Sequence, residues 1–198
     1  KETHIESDLV IPVPDSGVPA SIGYAEKIKK TVELGIIRNH YVGRTFIEPT
    51  QQIRSFGVKL KHNINKSLVK NKSLILIDDS LVRGTTSVKI IKMLYDAGAK
   101  EIHLRIASPP IKYPDYYGVD TPNQNELLAS KFNVEEMRRF INATTLQFLS
   151  IEGLYKSLGY EKRNSSYPQF TDHCFTGEYP VEPIDANNKD FINDEVSL

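Results

Sequence analysis

Tryptophan is absent from the 198-residue chain, and cysteine occurs once, at Cys174. A single thiol forms no internal disulfide, so a small disulfide-stapled scaffold is excluded and a reducing cytoplasm is the expected compartment. No apolar run approaches the roughly 20 residues that span a bilayer, and no secretory signal pattern is visible. Neither sign of charge dominates, with Lys+Arg and Asp+Glu at 25 each. The whole chain therefore has no bias toward nucleic acid or an anionic membrane, and any anion site must be local. Internal repeats and low-complexity tracts are also missing. So is an initiator Met: the chain opens at Lys1 and a strand begins within about ten residues, which suggests a piece of a longer protein.

What is present is an alternation of apolar runs and amphipathic segments. "DLVIPVP" (8–14) reads as a buried strand closed by prolines and "DSG". A lysine-rich helix follows over 19–32, with Pro19 near its first turn, then a strand over 33–39. Residues 40–63 are polar and basic without a period, and read as a long loop, either functional or a solvated or disordered segment. "KSLILID" (72–78) is the clearest buried strand. A helix spans 85–97, with Gly98 where a C-terminal cap belongs, and a strand spans 101–108. Weak helices read at 123–131 and 134–142, a strand at 145–150 and a helix at 151–159. From Tyr160 onward no periodicity is clear, and the segment is expected to be loop-like or to wrap the domain. This pattern predicts an α/β fold, a central parallel sheet with helices on both faces. The core is expected over 1–160, with 161–198 as a C-terminal segment. In such sheets ligands sit at the carboxyl ends of strands, near a switch point in strand order. That puts "PDSG" (14–17) and "DDSLVRGTTS" (78–87) on one rim.

Two adjacent acids, Asp78 and Asp79, end a buried strand and precede Ser80, Arg83, Gly84, Thr85, Thr86 and Ser87. A helix start offers unsatisfied N–H donors and partial positive charge, which suit a phosphate. One Thr alone would read as an ordinary N-cap, but a G-T-T-S run after paired acids favours phosphate. It is not a Walker A loop, because the Gly-Lys-Ser/Thr ending is missing. The carboxylates suit ribose hydroxyls, which donate hydrogen bonds, or Mg²⁺, which prefers oxygen ligands. The other reading is one Asp capping the turn and one solvated. His4, His40, His62, His103 and His173 are scattered without metal-ligand spacing, and each is expected to be solvated or structural.

"LILIDDSLVRGTTS" (74–87) resembles the phosphoribosylpyrophosphate (PRPP) signature of type I phosphoribosyltransferases. "VPDSG" (13–17), "YVGRTFIEPTQQIR" (41–54), "SPPIKYPDYYGVDTPNQNELLAS" (108–130) and "CFTGEYP" (174–180) are similar to the C-terminal half of the amidophosphoribosyltransferase family. The likeness covers residues 8–183, and "GRTFI" with "QQIR" is more specific than the PRPP motif.

The resemblance implies a type I phosphoribosyltransferase fold with a flexible lid loop and an irregular C-terminal segment. It implies formation of 5-phosphoribosylamine from PRPP and ammonia with release of pyrophosphate, the first step of de novo purine synthesis. By resemblance Thr85, Thr86 and neighbouring amides hold the 5-phosphate, and Asp78 and Asp79 hold the ribose hydroxyls, directly or through Mg²⁺, with Ser16 at the metal site. Asp15, Ser16 and Gly17 form the pyrophosphate loop, in which the family often has a non-proline cis peptide. Residues 40–63 become the lid, with Arg44, Thr45, Gln51, Gln52 and Arg54 acting on the leaving group and Tyr41 and Lys61 contacting nucleotide. Implied partners are purine nucleotide inhibitors, ammonia channelled from an N-terminal glutaminase domain absent from this chain, and further copies in a homo-oligomer. One branch of the family holds an iron–sulfur cluster on four cysteines. Asp115 and Thr171 stand in corresponding places here, and a single thiolate cannot hold such a cluster, so none is expected. Cys174 is expected to be a small buried or half-buried residue rather than a nucleophile. The alternatives are a stand-alone salvage phosphoribosyltransferase acting on a free base, and a non-enzymatic PRPP-binding regulator.

Overall fold

The computed structural model describes residues 5–39, 62–119, 121, 123–181 and 183. Four strands form one parallel sheet: β1 (Leu9–Pro12), β4 (Ser73–Asp78), β5 (Glu101–Ile106) and β6 (Thr145–Phe148), side by side in that order. β4 is buried from Leu74 to Asp78, as expected for a central parallel strand. Its alternate residues serve two cores. Leu74 and Leu76 join Ile102, Leu104 and Leu146 on one face, while Ile75 and Ile77 join Val10 on the other.

The first face is sealed by α3 (Thr85–Asp96) and α5 (Val134–Ile141), through Ile90, Ile91, Leu94, Met137 and Ile141. Apolar residues spaced three and four apart give α3 this buried stripe. The helix stops where expected: Ala97 caps it and Gly98 follows at φ +95°, with its N–H on the Tyr95 carbonyl. α5 begins in a reciprocal capping box between Asn133 and Glu136. On the second face α1 (Val18–Ile28) covers β1 and β4 through Ala25. Between α1 and α6 (Ile151–Ser157) an open groove of about 920 Å³ runs over β5 and β6, with Tyr24, Arg105 and Gln147 in its lining.

Several expected boundaries shift. The strand expected over 33–39 reduces to β2 (Ile36–Arg38), which leaves the parallel sheet and pairs antiparallel with β3 (His62–Ile64). The expected loop thus ends in a strand, because Ile36 and Ile64 pair across that small ladder. α2 (Lys66–Val69) is one unexpected turn. The helix expected over 123–131 is a 3₁₀ turn, Gln124–Glu126, and then α4 (Leu128–Lys131). Among the described residues beyond Tyr160 the chain is irregular apart from α7 (His173–Thr176). Val32 forms a parallel bridge to Val10 on the side of β1 away from β4. β1 is therefore where the order changes direction, and the rim beside it is where an α/β sheet binds ligands.

Candidate active site

The parallel register pairs Pro12 with Ile77, so β1 and β4 end together. The Val13 N–H still donates to the Ile77 carbonyl at 2.8 Å, and the two strand-to-helix loops diverge from there. Between them is a cavity of about 480 Å³. The first loop contributes Asp15 and Ser16, and the second contributes Asp78, Asp79, Ser80, Arg83, Gly84, Thr85, Thr86 and Ser87. Gly17 is the N-cap of α1 beside it. The structure thus gathers these sequence-predicted residues at one rim. Tyr41, Arg44, Thr45, Gln51, Gln52, Arg54 and Lys61 lie outside the described residues.

Each loop is shaped by a glycine. A Cβ on Gly17 would stand 2.3 Å from the Ile77 carbonyl oxygen and 2.9 Å from that of Val13, so only glycine lets the loop lie against β4. Gly84 sits at φ +75°, left-handed backbone that glycine adopts freely. It turns the chain from β4 into α3. The Pro14–Asp15 peptide is cis. The first N–H groups of α3 face the cavity end of the sheet and lack intrahelical acceptors, whereas at the start of α1 the Gly17 and Val18 N–H groups already donate to the Val13 and Asp15 carbonyls and Pro19 has none. The carboxylate pair thus stands between the starts of two helices.

Asp78 is buried, and its Oδ1 accepts the Asp79 N–H at 2.9 Å. Burial first, then the neighbouring Asp79 carboxylate, push its pKa up to about 8. The Asp79 N–H and the Ser16 hydroxyl, which donates to Asp78, act in the opposite direction without offsetting this. Such a carboxylate is short of positive charge and donors. Ser16, Asp78 and Asp79 are hard oxygen donors facing one space, so the set fits a magnesium ion or sugar hydroxyls.

Sequence reasoning missed two residues at this rim. Arg38, at the end of β2, pairs with Asp15 at 2.5 Å, and His62, at the start of β3, is buried and lines the cavity. Their signal was faint, since the short antiparallel pair that delivers them has no distinctive pattern. Arg83 lines the cavity but its Nε is held by Glu126 at 2.8 Å.

The histidine reading needs a correction. His173 is not isolated: its Nε2 lies 2.8 Å from Asp115 Oδ2, beside the Cys174 thiol. Burial, followed by the Asp115 charge, raises the Cys174 thiol to about 11, where little thiolate exists at neutral pH. His103 is structural, set between the hydroxyls of Ser73 and Thr145. His4 and His40 lie outside the described residues.

No family model matches the chain. Curated relatives do. The amidophosphoribosyltransferase of Rhizobium etli is 56% identical over 194 residues, 98% of this chain. The chloroplastic amidophosphoribosyltransferase 2 of Arabidopsis thaliana is 52% identical over 98% of the chain, and the Bacillus subtilis amidophosphoribosyltransferase 50% over 92%. The chain is homologous to the amidophosphoribosyltransferases. It spans only 39%, 34% and 38% of those three relatives' own lengths. Among solved structures, the B. subtilis glutamine PRPP amidotransferase complexed with ADP and GMP superposes with a TM-score of 0.81 at 49% identity. That match covers 91% of this chain and 40% of that one. A structure described as the allosteric regulatory enzyme of purine biosynthesis gives 0.80 at the same identity. The parallel sheet with its flanking helices is thus the phosphoribosyltransferase fold found within amidophosphoribosyltransferases.

Proposed function

We propose that the chain is the phosphoribosyltransferase part of an amidophosphoribosyltransferase, joining ammonia to PRPP to give 5-phosphoribosylamine and pyrophosphate. The observation that carries this reading is the buried Asp78 and its neighbour Asp79 between two helix starts in one cavity. PRPP has matching chemistry: a phosphate at one end, a diphosphate at the other, and hydroxyls between. The N-terminus of α3, with Gly84, Thr85, Thr86 and Ser87, takes the 5-phosphate, helped by Ser80 and Arg83. The N-terminus of α1, with Asp15, Ser16 and Gly17, takes the diphosphate. Asp78 and Asp79 accept from the ribose hydroxyls, and with Ser16 would hold Mg²⁺. Bound there, the ion would neutralise diphosphate charge and favour its departure.

In the reaction the bond from C1 to the diphosphate oxygen breaks, and the ammonia nitrogen forms the new bond to C1. Positive charge develops on the sugar and negative charge on the leaving group. Arg44, Thr45, Gln52 and Arg54 are proposed to stabilise that leaving group and to exclude water, which competes with ammonia. Tyr41 and Lys61 are proposed to contact purine nucleotide inhibitors. The ADP and GMP complex of the B. subtilis relative supports nucleotide binding as part of this reading. A glutaminase domain that channels ammonia and a homo-oligomeric assembly belong to the same proposal. So do a cytoplasmic location and the division into a core over 1–160 and a C-terminal segment over 161–198. Among the described residues no helix is long and apolar enough to cross a membrane.

Calorimetry with PRPP and Mg²⁺ tests the site, and pyrophosphate release from PRPP, Mg²⁺ and ammonium at alkaline pH tests the reaction. Saturable Mg²⁺-dependent PRPP binding is expected. Its absence overturns the assignment, while pyrophosphate release that requires a free purine or pyrimidine base favours a salvage enzyme instead.

A further inference from the structure

A second cluster of ligating side chains stands apart from the cavity just described, and none of its members lines that cavity. Asp115, from the segment after β5, meets His173 and Cys174 of α7, 58 residues further along the chain. One oxygen, one nitrogen and the sulfur all lie within 4.8 Å of one another. We propose that Asp115, His173 and Cys174 form a site for a divalent transition metal of zinc-like character, with one coordination position left for water.

The donor set is mixed: a hard carboxylate, an imidazole and a soft thiolate. That combination selects zinc-like ions and discriminates against magnesium, which takes oxygen ligands. The spacing also fits. Zinc bonds of about 2.0 Å to nitrogen and oxygen and about 2.3 Å to sulfur put neighbouring tetrahedral ligands roughly 3–4 Å apart. Here Nε2 of His173 is 2.8 Å and Sγ of Cys174 is 3.9 Å from Oδ2 of Asp115.

The surroundings hold these atoms in place, as outer partners do around metal ligands. Oδ1 of Asp115 accepts the N–H groups of Tyr117 and Val119 at 2.8 and 3.0 Å, which turns Oδ2 toward the histidine and the thiol. The Cys174 carbonyl accepts the N–H groups of Lys112 and Tyr113. Tyr117 and Tyr179 flank the His173 ring at 5.0 and 4.9 Å between centroids. The ring is 97% buried (3% exposed), yet its Nδ1 has no hydrogen-bond partner among the described residues. The ion would clamp the irregular C-terminal segment onto the loop that follows β5. The inference is independent of the PRPP reading.

Cobalt(II) titration of the metal-free chain tests it. One equivalent should bind, with a near-ultraviolet thiolate-to-cobalt charge-transfer band and visible absorption of four-coordinate intensity. Zinc should displace the cobalt and raise the melting temperature, while excess magnesium should not displace it. Cys174→Ser should abolish the charge-transfer band. His173→Gln and Asp115→Asn should each weaken binding at least about tenfold, the lower end of what even an outer-shell loss costs. Should Cys174→Ser fail to fold, protection of the native thiol from a thiol reagent by zinc decides the matter. No charge-transfer band, a band that survives Cys174→Ser, or a thiol that zinc leaves unprotected overturns the site and leaves a metal-free hydrogen-bonded cluster.

Discussion

Asp78 shows at the scale of one residue how a binding site opposes stability. Its carboxyl is buried beside a second carboxylate and holds a raised pKa of about 8. The folded state therefore retains a proton that the unfolded state has released, at every pH between 3.8 and about 8. Stability must fall as pH rises through that window. Asp78→Asn removes the ionisable group and keeps the shape. The variant should equal or exceed the parent in stability at neutral pH, by on the order of 1–3 kcal/mol. The gap should widen toward pH 8 in urea titrations, while PRPP–Mg²⁺ affinity drops at least about tenfold. A variant that binds PRPP normally would remove Asp78 from the ribose and metal site. Gly17 makes the complementary case through space alone. Its φ of −74° is ordinary, so alanine costs nothing conformationally. The added methyl, however, would press on two backbone oxygens at 2.3 and 2.9 Å, and backbone cannot give as a side chain does. Gly17→Ala should destabilise by roughly 2–3 kcal/mol in denaturant unfolding and weaken pyrophosphate binding with it. Normal stability would mean that the loop rearranges freely.

Among the elements, how much could be read from sequence depended on how local the cause was. β4 and α3 are legible because an apolar run, paired acids and a glycine-led turn are contiguous over 74–87. The small ladder of β2 and β3 is not, because its partners come from either side of residues 40–61 and pair over only three residues each. The same holds for the cluster of Asp115, His173 and Cys174, which spacing cannot reveal across 58 residues. Alternation along β5 explains another hidden role. Ile102, Leu104 and Ile106 face the larger core, so His103 and Arg105 face the side that α1 and α6 cover only in part. Burial, followed by the Arg105 charge, lowers the His103 pKa below 6.5, against a smaller opposing effect of Glu101. Protonation then favours the unfolded chain, and His103 weakens the fold as pH falls below about 6.5. His103→Gln should keep hydrogen-bonding capacity toward Ser73 and Thr145 and flatten that acid limb. Melting temperatures from pH 5 to 7.5 check this; parallel curves for the two proteins would rule His103 out as the cause.

At the scale of the molecule, the sheet supplies its own core, but the irregular segment after Tyr160 needs anchors of another kind. One is a buried polar knot. Arg163 donates through Nε to Asp172 Oδ2 at 2.5 Å and through Nη2 to Oδ1 at 3.1 Å, and Nη2 also reaches Glu178. The Tyr155 hydroxyl, on α6, donates to the same Asp172 Oδ2 at 2.9 Å. Asp172 is buried, and its side chain is 4% exposed against 12% for Arg163. Burial alone would raise the Asp172 pKa, but the donors Arg163, Tyr155 and Thr176 outweigh it and lower it below 3.8. The sign is therefore opposite to that of Asp78. The knot stabilises fully above the unfolded pKa and is lost as pH falls through the depressed folded value. Removing one member of a buried ion pair leaves the other uncompensated, which costs about 3–5 kcal/mol. For a chain of this size Asp172→Asn should lower the melting temperature by on the order of 10 °C at neutral pH. The deficit should shrink as pH falls below 3.8, where the unfolded chain takes up a proton that the folded Asp172 still excludes. Arg163→Met, which removes the cation and leaves Asp172 buried with only the neutral donors Tyr155 and Thr176, should show a comparable loss. The double variant should lose less than the sum of the two, because each change destroys the same interaction. Additive losses would mean that Arg163 and Asp172 act separately, and that the segment is held instead by the tyrosine packing around His173.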